Sequence, residues 1–196
     1  MVRARRRFAQ LLAVTLLIGT PAAEAAPVQQ GATQEAGGGV SLTPGRYIWR
    51  DADPAAGPVT VVVSTSSQLL FAFRGSSVIG ISTVSTGQPG YDTPVGTFTI
   101  LQKEVDHHSS LYDDAPMPFM QRLTWDGVAL HAGRITGQPE SHGCVRLPLA
   151  FAKKLYAATQ LGARVVVTDA PVESEDDAAA LTGGGVAGDG GTVTAD

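Results

Sequence analysis

Between residues 59 and 101 the chain spells short β-branched or aromatic runs, each cut off by Ser, Gly or Pro, and this spacing excludes a helical fold more firmly than any other feature. Residues 59–63 read Val-Thr-Val-Val-Val and residues 69–73 read Leu-Leu-Phe-Ala-Phe, with Ser-Thr-Ser-Ser-Gln between them. Side chains of this kind pack well on a pleated surface, and runs this short are strand length, not helix length. The pair is predicted to form a hairpin. Arg74-Gly75-Ser76 turns the chain again, residues 78–84 make a third strand candidate carrying Ile79, Ile81 and Val84, and residues 96–101 a fourth after the turn-forming stretch 87–94. One helix stands out. Pro148 suits a first-turn position, Phe151, Leu155 and Ala158 recur at helical spacing, and Gly162 ends the run before a returning strand at 163–167. The expected class is mainly β, a sandwich or barrel type with one or two short helices.

At 196 residues the chain accommodates one modest domain with tails, since single domains run to roughly 100–200 residues. Residues 1–25 have the layout of a secretory signal peptide: Arg3, Arg5, Arg6 and Arg7, an apolar run over 8–18, and the small-residue site Ala23-Glu24-Ala25. The apolar run falls short of the ~20 residues that cross a bilayer, which favours cleavage near Ala26 over a retained anchor. Arg5-Arg6-Arg7-Phe8 also resembles a twin-arginine signal, so both export routes stay open. The expected location is the periplasm or cell envelope. Residues 26–57 read as a linker and lead-in. Residues 170–196, rich in Ala, Gly, Asp and Glu, read as a disordered tail, with the acidic run 173–177 as solvated charge. A net charge of -4 and scattered Lys and Arg exclude nucleic acid as the main partner.

Cys144 is the only cysteine, so no intramolecular disulfide braces the fold. Such a thiol is either a small buried hydrophobe or a reactive nucleophile, and the residues around it favour the second. Leu130-His131-Ala132-Gly133 is followed, after a loop through 137–140, by Ser141-His142-Gly143-Cys144-Val145-Arg146-Leu147. A thiol with an ordinary pKa of about 8.5 is a poor nucleophile at neutral pH and needs an imidazole or another positive influence. The apolar run 128–130 is expected to carry His131 on a rigid strand to the sheet edge, with the following loop folding Cys144 back opposite it as nucleophile to its base. His142 would share a face with Cys144 in an extended segment and line the site. Gly143 lets a substrate carbonyl approach the N–H groups of Gly143 and Cys144, an expected oxyanion hole. Arg146 falls on the side of Cys144, where it can tune the thiolate or grip a carboxylate; a surface Arg without a role is the plainer alternative. His131, His142 and Cys144 are also zinc-ligand types, but C-x-x-C and H-E-x-x-H spacings are absent, so neither a metal nor another cofactor is expected.

Ser141-His142-Gly143-Cys144-Val145-Arg146, with His131 upstream, resembles the signature of the L,D-transpeptidase catalytic domain, also called YkuD-like: a His, a variable loop, then S/T-H-G-C. Ser85-Thr86-Gly87 and Thr93-Pro94-Val95-Gly96-Thr97-Phe98 resemble the family's S-T-G and T-P-x-G-x-F elements in the same order, placing the domain at residues 58–169. The resemblance implies a ping-pong reaction on peptidoglycan stem peptides. Cys144 attacks the carbonyl of the L-centre in a diaminopimelate-D-Ala bond, D-Ala leaves, and the thioester passes to another stem's amine, a protein Lys or water. It maps the base to His131 and the site lining to Ser141, His142 and Gly143, and it suggests acylation of Cys144 by carbapenems. Two departures stand out: Ala132 where members often carry Gly or Ser, and Arg146 where many carry Asn. By the same resemblance Tyr112, Met117, Phe119 and Trp125 border the substrate groove, although Met and aromatic clusters form core more often. Two other readings use the same residues: an L,D-carboxypeptidase or endopeptidase hydrolysing stem peptides, and a non-catalytic wall-binding module, which would not need both His131 and Cys144.

Overall fold

The two runs on either side of residues 64–68 pair as a hairpin. The computed structural model describes residues 32–34, 39–111 and 114–183. In chain order its strands are β1 Ala32–Gln34, β2 Val40–Leu42, β3 Tyr47–Trp49, β4 Val59–Ser64, β5 Leu69–Arg74, β6 Ser77–Thr83, β7 Gly96–Thr99, β8 Gln102–Glu104, β9 Met120–Arg122, β10 Ala129–Ala132 and β11 Val145–Leu147. Helix α1 Leu149–Ala158, strand β12 Arg164–Thr168 and helix α2 Glu175–Thr182 follow.

β4, β5 and β6 form an antiparallel meander, with Val61 opposite Ala72 and Phe71 opposite Ile81. β12 returns to lie parallel to β4, and β7 pairs with β12, giving a six-stranded sheet of order β3-β6-β5-β4-β12-β7. A four-stranded sheet, β11-β10-β9-β8, and α1 share one core with it, in which Val61, Val63 and Leu70 meet Leu130, Leu147 and Phe151. Pro148 caps α1 rather than opening its first turn.

Alternation along β4 sends Val62 to the opposite face, into a second core with Phe71, Phe73, Ile81 and Val166. Burial on both faces is why residues 59–63 lack the polar alternation of a solvent-facing strand. Each valine fully withdrawn from water contributes about 1.5–3 kcal/mol.

This second core corrects the expectation of a linker and a disordered tail. β3 is an edge strand of the six-stranded sheet, with Ile48 opposite Ile81, and Val40 and Leu42 of β2 pack on the second core. Beyond β12, Val172 and Ala178 are buried and Leu181 packs beside them. Ser174 and Asp177 form a reciprocal capping box at the start of α2, and the acidic first turn suits the positive end of the helix. Glu175 also pairs with Arg50 at 2.7 Å. The composition of 170–183 is low in apolar residues, but the few present cover sheet surface that would otherwise face water. Residues 1–25, expected to be a signal peptide, and residues 184–196 lie outside the described residues. Among the described residues, no helix is long and apolar enough to cross a membrane.

Candidate active site

β10 runs between β9 and β11, so His131 stands on an interior strand and not at the sheet edge expected of it. In the parallel register of β10 and β11 it lies beside Arg146. The loop between these strands brings Cys144 to the start of β11, and both side chains line one cleft of about 530 Å³, together with Ser141, His142, Arg146 and Met117.

His131 is 7% exposed. Its Nδ1 donates to the Ala132 carbonyl at 2.9 Å, because a carbonyl can only accept, and Nε2 is left as the acceptor. Burial pulls the imidazole pKa from 6.5 down to about 4; the Ala132 carbonyl opposes this, and the charges of Arg146 and His107 add to it. The Cys144 thiol donates to the Gly127 carbonyl, with Sγ at 3.5 Å. Burial pushes the thiol pKa up, against a backbone hydrogen bond from Ala129 and the charges of Arg146 and Arg122. Near neutral pH the cleft therefore holds a neutral imidazole and a neutral thiol, with no standing thiolate–imidazolium pair.

The cysteine loop is not extended. Gly143 adopts φ +107°, a region that favours glycine, and the turn leaves His142 exposed at the cleft rim with its ring edge-on to Tyr91, centroids 4.7 Å apart. His142 thus reaches the cleft from a turn rather than from a face shared with Cys144. The buried Ser141 hydroxyl accepts the Gly143 N–H at 3.1 Å and donates to the Cys144 carbonyl at 2.5 Å. That bond engages the Gly143 N–H and corrects the expectation of an oxyanion hole built from both Gly143 and Cys144.

Residues 85–93 are the struts of this loop. Ser85 and Arg146 exchange backbone hydrogen bonds at 3.1 and 2.9 Å, and the Ser141 N–H donates to the Thr86 carbonyl at 2.9 Å. Gln68 grips Thr86 in turn, through its backbone N–H at 3.0 Å and its hydroxyl at 2.6 Å. A Cβ on Gly87 would sit 1.9 Å from the Tyr91 carbonyl oxygen, so no other residue fits there. Thr93 Oγ1 accepts the Gly87 N–H and donates to the Gly143 carbonyl, both at 2.9 Å. In the sequence these residues are family marks only; no local pattern says that 85–93 reach 141–146.

Arg146 is half-buried, its stem lying against Gly133, where a Cβ would come 2.9 Å from Arg146 Cγ. Among the described residues no carboxylate pairs with its guanidinium. Of the expected groove residues, Met117 lines the cleft. Phe119 does not: it packs on the main core, edge-on to Tyr156 with centroids 5.8 Å apart, which corrects its assignment to the groove. Trp125 is 74% exposed in the β9–β10 turn and lines a neighbouring cavity of about 330 Å³ with His107 and Arg122. Tyr112 lies outside the described residues. Among the described residues, no group of three or more His, Cys, Asp or Glu is gathered to hold a metal.

Fold and cleft together define a mainly β domain with a thiol and an imidazole in one cleft. Residues 58–167 match the model of YkuD, the L,D-transpeptidase catalytic domain, and the chain belongs to that family. It is 30% identical over 106 residues to "Probable L,D-transpeptidase 3" of Mycobacterium tuberculosis, covering 46% of this chain and 39% of that protein. Among solved structures it is similar to an L,D-transpeptidase (Yku) from Stackebrandtia nassauensis, with TM-score 0.53, 31% identity, and 61% of this chain and 58% of that one covered. It is also similar to L,D-transpeptidase 3 from Mycobacterium tuberculosis in complex with a faropenem-derived adduct, with TM-score 0.51, 26% identity, and 56% and 60% of the two chains covered. The chain spans less than two thirds of the length of each of these relatives.

Proposed function

We propose that Cys144 forms a thioester with a peptidoglycan stem peptide and passes the acyl group to an amine, with His131 moving the protons. The observation that carries this reading is the shared cleft, which is lined both by the Cys144 thiol and by an imidazole whose Nδ1 is engaged by the Ala132 carbonyl, leaving Nε2 to accept. As a stem peptide enters, the Sγ proton passes to His131 Nε2 and the thiolate adds to the carbonyl carbon of the diaminopimelate L-centre. The carbonyl electron pair moves to oxygen, where a backbone N–H stabilises it. Collapse breaks the C–N bond, and the His131 imidazolium returns the proton to the departing D-Ala amine. In the second half an acceptor amine attacks the thioester, loses a proton to His131, and the thiol is regenerated. The Arg146 guanidinium, which pairs with no carboxylate among the described residues, suits a stem carboxylate, which it can hold through two parallel bonds. Ser141, Gly143 and His142 shape the turn that presents the thiol.

The acceptor is a second stem amine or a protein Lys, with water as the hydrolytic alternative. Residues 1–25 direct this reading to the cell envelope. By analogy with the faropenem-derived adduct of the Mycobacterium tuberculosis relative, faropenem and carbapenems are proposed to acylate Cys144.

The test is mass spectrometry of the protein with purified tetrapeptide muropeptides, wild type beside Cys144→Ala. Freed D-Ala and cross-linked dimers that appear only with Cys144 support acyl transfer. Tripeptides without dimers shift the assignment to hydrolysis. Product formation by the Cys144→Ala variant would remove the thiol from the mechanism.

A further inference from the structure

We infer that Thr93 is a positioning residue of this site: by holding the Gly143 carbonyl it turns the Cys144 N–H toward the cleft as the oxyanion donor. The inference rests on the thioester reading above. Across a trans peptide the carbonyl oxygen and the next N–H point in opposite directions, and the described residues contain no cis peptide. Thr93 is buried, 5% exposed, and holds the Gly143 carbonyl at 2.9 Å from the side of the 87–93 loop, while Ser141, Cys144 and Arg146 line the cleft. A carbonyl drawn to the buried side sends its partner N–H the other way. The preceding N–H, that of Gly143, is bonded to Ser141 Oγ and is not available for the role.

The constraint is needed because the residue is glycine. Gly143 stands at φ +107°, a region open to glycine, and with no side chain its backbone turns more freely than that of any other residue. A rotated peptide would present a carbonyl oxygen where negative charge develops in the transition state, replacing attraction with repulsion. Thr93 is itself pinned. Its hydroxyl accepts the Gly87 N–H at 2.9 Å, and Pro94 restricts its backbone to extended conformations. The T-P pair and the S-T-G turn thus act as one brace on the peptide ahead of the nucleophile.

The experiment compares two reactions of the same thiol. Acylation by faropenem builds charge on a carbonyl oxygen, whereas alkylation by iodoacetamide is displacement at carbon and builds none. Thr93→Val, which keeps the shape and loses the hydroxyl, is expected to slow acylation and stem-peptide turnover by roughly 10- to 100-fold, less than the roughly 100- to 1000-fold of losing an oxyanion donor outright, because the N–H is misdirected and not removed. The loss should fall on kcat with KM retained, and alkylation should proceed at the wild-type rate. Thr93→Ser should restore acylation. Thr93→Ala, run in parallel, carries the test if the valine variant does not fold. Wild-type acylation in the hydroxyl-less variants, equal losses of acylation and alkylation, or no rescue by serine each overturn the role of Thr93. A wild-type protein that gains no mass from faropenem or stem peptide, yet is alkylated, overturns the thioester reading, and the inference with it.

Discussion

His131 donates from Nδ1 to the carbonyl of Ala132, its own successor, at 2.9 Å, and the tautomer of the buried ring follows from that bond. The contact uses only main-chain oxygen, so a residue at 132 without a hydroxyl orients the imidazole as well as any other. With Nε2 left to accept, the pH behaviour of the cleft depends on how far burial and neighbouring charge depress the ring's pKa.

The acid limb of thioester formation should lie well below that of an ordinary histidine, because His131 stays neutral down to about 4 rather than 6.5. Arg146→Gln removes a positive charge that lowers both pKa values. The limb should then move to higher pH, and iodoacetamide alkylation of Cys144 at fixed pH should slow. Profiles of kcat/KM against pH, with alkylation rates, check both; a limb at 6.5 that ignores the substitution would rule out this electrostatic coupling.

Folding stability carries the same signature. The folded ring resists protonation until about 4 while the unfolded one takes a proton near 6.5, so between these values the unfolded state binds more protons and stability falls as pH falls. Below the folded value the loss levels off, at about 3 kcal/mol in total. Urea denaturation of wild type and the non-titrating His131→Gln should show wild type losing that amount relative to the variant across the window. A pH-independent difference would show that the folded ring titrates normally.

Ser141→Ala removes the hydroxyl that joins the Gly143 N–H to the Cys144 carbonyl. The expected cost is about 1–3 kcal/mol of stability, because buried backbone groups lose a partner. Thioester formation should slow at least ~10-fold as the turn loosens around its donor, while Ser141→Thr retains both. Unchanged turnover in the alanine variant would reduce Ser141 to a bystander.

The C-terminal helix should be part of the folded unit. Ala178 is fully buried on the second core, and Ala178→Asp places an unpaired charge there at a cost of at least about 2 kcal/mol. Melting at the wild-type temperature would mean that α2 is not docked on the sheet in solution.

Much of the fold was legible because strand runs are local. Residues 59–63, 69–73 and 78–84 announce themselves by β-branching and bounding turns, and α1 by the spacing of Phe151 and Leu155. The tail was not legible from composition, since among the described residues its apolar contacts with the sheet come from Val172, Ala178 and Leu181, and their value depends on an apolar sheet face that exists only after β4, β5 and β12 have assembled. Phe119 and Met117 show the same limit. Two residues apart in one apolar segment, they part company because one meets Tyr156 and the core while the other borders the cleft.

By itself the sequence determined the strand-rich class and the chemical identity of the site, because a thiol, an imidazole, a glycine and a serine are written in the residues and their order. Only the tertiary structure decided where the protons rest, which N–H groups are engaged, and that residues 85–93 brace the loop at 141–146. Those depend on desolvation and on contacts between segments fifty or more residues apart, such as Thr93 with Gly143, and neither is a property of any stretch of chain taken alone.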